Sequence, residues 1–242
     1  MNRQSYHSGF TLVELAIAMF VIALLLGSIL VPLATQVEQR QITETQKIMD
    51  EIREALLGFA AANGYLPCPD QPGGTPNDGI EDVSAVGQCT TITGAAPNTL
   101  AAGNVPWVTL GLGQQDAWGN RFRYTVLEAY ARRPPASLFT LVTIGGLRVC
   151  TATTCPATTT LTSTAVAVIM SHGKNGLSAI NATTNVANFA ATSADEVDNA
   201  NNDRDAVSRT QSTLAGAEFD DIVVWLPKFI LNSRMVAAGK LP

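Results

Sequence analysis

Hydrophobic and polar positions divide this chain into an apolar N-terminal run, an amphipathic continuation and a longer tract of short alternating segments. From Phe10 onward the side chains are largely apolar, and after Glu14 no charge occurs until Glu38. About 20 helical residues of this kind cross the roughly 30 Å hydrocarbon core of a bilayer, so the run predicts a membrane-embedded helix over residues 10–35. From Val37 to Asn63 the sequence turns polar but keeps a helical period. Ile48, Ile52, Leu56 and Phe59 fall on one face, and Glu38, Glu44, Lys47, Glu51 and Arg53 occupy the others. Gly64 and Pro67 mark the end of this second half, residues 36–63. Pro32 should kink or locally open the apolar half.

Beyond Gly64 the period changes. Arg121–Val126 alternates as a strand does, and Leu138–Val149, Thr164–Ser171 and Phe219–Leu226 carry the β-branched and aromatic content of further strands. Lys228–Gly239 reads as a short helix. Three stretches break the pattern: the Pro/Gly-rich Pro67–Gly103, the Thr-rich Thr151–Thr164, and Ser178–Ala217, where large apolar residues are few. The expected fold is α+β, a long N-terminal helix packed on a small antiparallel sheet with long loops over residues 64–242.

Charge and composition narrow the function. The 242 residues carry a formal net charge of −5, and only 14% are charged, against about a quarter in ordinary domains. Net acidity argues against a general nucleic-acid binder, which needs a basic stripe. Arg121, Arg123, Arg132 and Arg133 are the candidate patch, and on so acidic a chain they read first as a solvated strand edge. Cys68, Cys89, Cys150 and Cys155 all follow the apolar run, an even count that favours disulfides in an exported domain. Sequence neighbours suggest Cys68–Cys89 and Cys150–Cys155, one of three connectivities. A zinc site is disfavoured by the lack of a CxxC pair. Nothing points to an enzyme: Ser171 and His172 are adjacent rather than opposed, Asp220 and Asp221 should face opposite ways on a strand, and no GxSxG, P-loop or HExxH occurs.

Glu14 is the anomaly of the apolar run, because an unpaired carboxylate in hydrocarbon costs at least a few kcal/mol. A cleaved secretory signal has an apolar core of only about 7–15 residues, and no A-x-A exit follows here. A plain anchor leaves Glu14 unexplained. The junction Gly9-Phe10-Thr11-Leu12-Val13-Glu14 resembles the processing site of type IV pilins and type II secretion pseudopilins. The resemblance implies a pilin-like fold with a leader over residues 1–9, removed by prepilin peptidase between Gly9 and Phe10, and N-methylation of Phe10. It also implies that Glu14 is an assembly residue, paired with the terminal amine of a neighbouring subunit.

Three further segments are similar to the major pseudopilin of type II secretion: Asp116-Ala117-Trp118-Gly119-Asn120, Ser171-His172-Gly173-Lys174-Asn175-Gly176 and Asp220-Asp221-Ile222-Val223-Val224-Trp225. The resemblance implies calcium in the loop that leads into the last of these, with Asp220 and Asp221 as contributors. Asp195, Glu196, Asp198, Asp203 and Asp205 precede them. The expected function is a structural subunit of a type IV pilus-like or type II secretion pseudopilus filament. Its partners would be other pilin-like subunits, prepilin peptidase and the inner-membrane assembly machinery. It would start as a single-pass inner-membrane protein with its head, residues 36–242, in the periplasm. The alternative is a minor or tip subunit whose enlarged head binds a surface, a secreted substrate or DNA.

Overall fold

The computed structural model describes residues 9–71, 77–90, 92–93 and 99–241. The expected leader lies outside the described residues except for Gly9, and the kink expected at Pro32 falls in 26–34, whose side chains are also outside them. Two compact units result, Met1–Thr43 and Glu44–Pro242, and helix α1 (Leu12–Asn63) contributes residues to each. In the first unit the described apolar side chains from Phe10 to Leu25 are exposed. Among the described residues no helix is long and apolar enough to cross a membrane.

The second unit follows α1 with β1 (Ile92–Thr93), β2 (Leu100–Asn104), α2 (Trp107–Leu110), β3 (Arg123–Leu127), α3 (Glu128–Ala131), β4 (Leu147–Cys150) and β5 (Thr160–Ser171). It closes with α4 (Ala194–Ala200), β6 (Asp205–Val207), β7 (Ile222–Pro227) and α5 (Lys228–Ala237). Strand β5 is the spine: it pairs antiparallel with β4 through Thr160–Ala165, with β3 through Ala167–Met170 and with β7 through Ala165–Ser171. Its first half alternates in exposure, whereas every residue from Ala165 to Ser171 is buried, the mark of a strand covered on both faces.

The sheet is mixed, which corrects the antiparallel expectation. β6 runs parallel to β4, matching Arg148 to Asp205, Val149 to Ala206 and Cys150 to Val207. Three residues are too few to display alternation, so this strand was hidden in the tract read as loop. Other boundaries move for similar reasons. β5 begins inside the Thr-rich stretch, where threonine's branched side chain suits a strand. Most of Leu138–Val149 is irregular backbone, held by Phe139 in the core and by the Tyr130 hydroxyl, which donates to the Thr143 carbonyl at 2.7 Å.

The amphipathic half of α1 ends as expected, with Gly64 at φ +95° and its N–H bonded to the Ala60 carbonyl. Its core face is rotated from the predicted one. Thr45, Met49, Ile52, Leu56, Leu57 and Ala60 are buried, whereas Ile48 and Phe59 are only half-buried. A search for large apolar residues passes over Thr45 and Ala60, both fully buried. Leu231 and Met235 of α5 join the same core. Both expected disulfides are present, Cys68–Cys89 and Cys150–Cys155, each with Cα atoms 5.3 Å apart. The rotated face makes a direct prediction: Met49→Ala should cost about 2–5 kcal/mol as a core truncation, and Ile48→Ala clearly less. Denaturant unfolding of the full-length protein in detergent measures both.

Candidate functional site

Two places carry chemistry. At the first, Thr11 precedes α1 and its backbone N–H and hydroxyl donate to Glu14 Oε2 at 2.9 and 2.8 Å, while the Glu14 N–H donates to Thr11 Oγ1 at 3.3 Å. This is a capping box: Thr11 is the N-cap and Glu14 the third helical residue, each serving the other's backbone. Glu14 therefore has a partner inside its own chain, and its charge lies at the end of the helix that favours an anion. The signal was in the sequence as T-x-x-E. Phe10, just before the box, is 87% exposed. A side chain at Gly9 would meet nothing within 4 Å, so the fold itself makes no demand for glycine there.

The second place is built by the turns that follow β5 and precede β7. Asp116 is buried, its Oδ1 accepting from the N–H groups of Trp118 and Asn120 at 3.0 and 2.9 Å, and its Oδ2 from Ser171 Oγ at 2.7 Å. Burial pushes its carboxyl above the usual range, and these donors oppose the shift. The knot fixes the end of β5, from which His172–Gly176 turns with Gly173 and Gly176 both at φ +58°. A side chain at Gly173 would collide with the Asp220 carbonyl.

Against this turn, oxygens of Glu196, Asp220 and Asp221 lie within 4.8 Å of one another. Asp220 and Asp221 were expected on opposite faces of a strand. They precede β7 instead, where the backbone is free of the strand's alternation, and so they converge. In each acid one oxygen is held by the protein. Glu196 Oε1 accepts from Asp220 N and Asn175 Nδ2 at 3.2 and 2.9 Å, Asp220 Oδ2 from Asn175 N at 2.7 Å, and Asp221 Oδ2 from Asn199 Nδ2 at 2.7 Å. Glu196 Oε2 and Asp220 Oδ1 are buried without a partner, as is His172 Nδ1, which sits 3.5 Å from Asp221 Oδ1. Burial, then the charges of Glu196 and Asp221, push Asp220 up to about 6, against the pull of the Asn175 N–H. Two orphaned carboxylate oxygens turned into a shared acidic pocket fit a hard divalent cation.

Glu196 belongs to this site although nothing singled it out among five acids in the inserted tract. Folding of α4 selects it: Ser193, Glu196 and Asn199 are buried at helical spacing, but all three are polar, so a search for apolar periodicity passes over them.

The four arginines do not assemble a patch. Arg121 is buried with its guanidinium 3.8 Å from the centre of the Trp107 ring and hydrogen-bonded to Asn185. Arg123 donates to the Asn201 carbonyl at 2.7 Å, Arg132 pairs with Glu128 and Arg133 with Glu81. Both the basic patch and the solvated edge give way to four separate internal clamps, because each guanidinium finds its own acceptor.

Residues 4–30 match the prokaryotic N-terminal methylation motif. The match supports a type IV pilin-like, prepilin-type protein, a structural precursor anchored in the inner membrane and processed by prepilin peptidase. No curated protein and no solved structure matches the chain. The motif covers the Thr11–Glu14 box and stops well short of the carboxylate cluster.

One further buried acid of the second unit stands apart from the cluster. Asp70, beside Cys68, exchanges backbone hydrogen bonds with Asn104 and accepts from the Gly79 N–H at 3.3 Å. Burial pushes its carboxyl up to about 7, with that N–H and Arg121 opposing and Asp82 and Asp78 reinforcing the shift. An unfolded aspartate titrates near about 3.9, so the folded state holds this proton more tightly and stability falls as pH rises from about 4 to 7. Asp70→Asn should flatten that part of the profile, read from thermal melts of the full chain at stepped pH in chelator.

Proposed function

We propose that this chain is a subunit of a type IV pilus-like or type II secretion pseudopilus filament, assembled through α1 with the second unit as its exported head. The observation that carries the proposal is the junction: a match to the methylation motif over residues 4–30, with Gly9 and Phe10 in non-helical backbone immediately ahead of a capped helix. Cutting after Gly9 frees an amine on Phe10. In a filament that amine from one subunit lies against Glu14 of the next, and the pair offsets much of each ion's desolvation. Thr11 holds the carboxylate at the helix end until then. Mass spectrometry of the membrane-extracted protein should find N-methylated Phe10, and an intact Met1 would exclude processing. Glu14→Ala should leave processing intact but lower filament yield beside wild-type subunits, scored in sheared fibres by electron microscopy.

A specific observation favours the tip or minor-subunit variant of this reading. The tract from Ser178 to Ala217 is folded onto the sheet through α4 and β6, and it displays Phe189 at 88% exposure on a hairpin braced by Ile180 opposite Ala187. Such a surface suits recognition of a protein or a cell surface.

In the head, Glu196, Asp220 and Asp221 would hold a divalent cation, with calcium the choice that hard oxygen donors suit. Bound there, it would offset most of the repulsion among three converging carboxylates and tie α4 to the entry of β7. Millimolar calcium should raise the melting temperature of the full-length protein, and chelator should lower it again. The rise should shrink in Asp221→Ala. A melt indifferent to calcium at neutral pH would remove the site.

A further inference from the structure

Glu196 and Asp221 are each held from outside the cluster, and both supports lead to the same covalent bond. The residue before Glu196, Asp195, accepts from the Thr153 N–H at 3.1 Å and from Arg209 Nε at 2.6 Å. Thr153 lies in the clip closed by Cys150–Cys155, whose cysteines are five positions apart in sequence. On the other side, Asp221 is held by Asn199, whose amide is itself braced on both backbone groups of Val207: it donates to the carbonyl at 3.1 Å and accepts from the N–H at 2.6 Å. Val207 pairs with Cys150 across β4 and β6, and the next N–H, that of Ser208, donates to the Cys150 carbonyl at 2.7 Å.

The clip is also held in backbone that an open chain would leave. Thr154 and Cys155 have φ of +66° and +45°, in the left-handed region that residues with a side chain rarely adopt. Two consecutive residues there are kept in place by the closed ring. Opening the ring lets both return to ordinary backbone, and Thr153 turns with them.

We propose that the Cys150–Cys155 disulfide positions Glu196 and Asp221, so that the cation affinity of the head depends on the oxidation state of this one bond. The inference rests on the cation reading above. Reduction is thiol–disulfide exchange with a dithiol: the S–S bond takes up two electrons and two protons to give two thiols, and the dithiol becomes a disulfide. Asp195 then loses its Thr153 donor and keeps Arg209 alone, so the first turn of α4 loosens and Glu196 is held less firmly in the cluster. Because linkage is reciprocal, calcium must in turn resist reduction of the bond.

Calcium titration by calorimetry of the full-length protein in detergent tests this. Wild type, oxidised, should bind. Cys150→Ser/Cys155→Ser should bind about 10- to 100-fold more weakly, the range for lost outer supports of a metal site. Asp195→Ala keeps the disulfide and should show the same loss, which covers the case where the double variant fails to fold. In unmutated protein, calcium should shift the dithiothreitol equilibrium of Cys150–Cys155 toward the disulfide, followed by peptide mapping, and leave that of Cys68–Cys89 unmoved. If wild type binds no calcium, the cation reading and this inference fall together. If wild type binds and neither the variants nor the reduction equilibrium respond, the inference alone is overturned.

Discussion

Strand β5 has to satisfy hydrogen bonds along twelve residues while its second half is buried on both faces. Water cannot serve those backbone groups, so three other strands must. The consequence is a division of the chain's labour: β3, β4 and β7 arrive from distant parts of the sequence to pair with one element. Turns at the ends of β5 then inherit fixed positions. Asp116 locks one of them through Ser171, and the cluster of Glu196, Asp220 and Asp221 forms where β5 leaves the sheet and β7 enters it.

The parts of this architecture that rest on local chemistry were legible in the sequence. The end of α1 at Gly64, the strands around Tyr124 and Trp225, and the pairing of cysteines close in sequence all follow from short-range signals. Asp220 and Asp221 were picked out through the resemblance, and the fold brings their oxygens within 4.8 Å of one another and of Glu196. What escaped were features that exist only once distant segments meet. β6 is three residues of no evident pattern, made a strand by β4. Glu196 is one acid among five until α4 turns it inward. Met49 replaces Ile48 in the core because the buried face of the helix also includes Thr45 and Ala60, which a search for large apolar residues passes over. The arginines read as one group because they are close in sequence, and they separate because each meets a different acceptor.

The inserted tract between Ser178 and Ala217 shows how a segment poor in apolar residues can still be ordered. Burial supplies little, and polar contacts supply the rest: Arg148 with Asp205, Arg209 with Asp195, and Asn188 with both Asn120 and the Gly176 carbonyl. Hydrogen bonds to charged groups are the stronger kind, and here they staple the tract at several separate points. Asp195 and Asp205 are paired with Arg209 and Arg148 and stay outside the cluster of Glu196, Asp220 and Asp221.

The capping box at Thr11 and Glu14 also fixes where helix gives way to open chain. Hydrolysis needs a peptide bond that can be drawn out straight into a cleft, and bonds inside a hydrogen-bonded turn resist this. With the cap at Thr11, the Gly9–Phe10 bond stays in exposed, non-helical backbone, the kind of segment that proteases reach most readily. Phe10 and Thr11 are all that separates the bond from regular structure. The same carboxylate thus marks where regular structure begins, and a cut at the Gly9–Phe10 bond would need no unwinding of the helix.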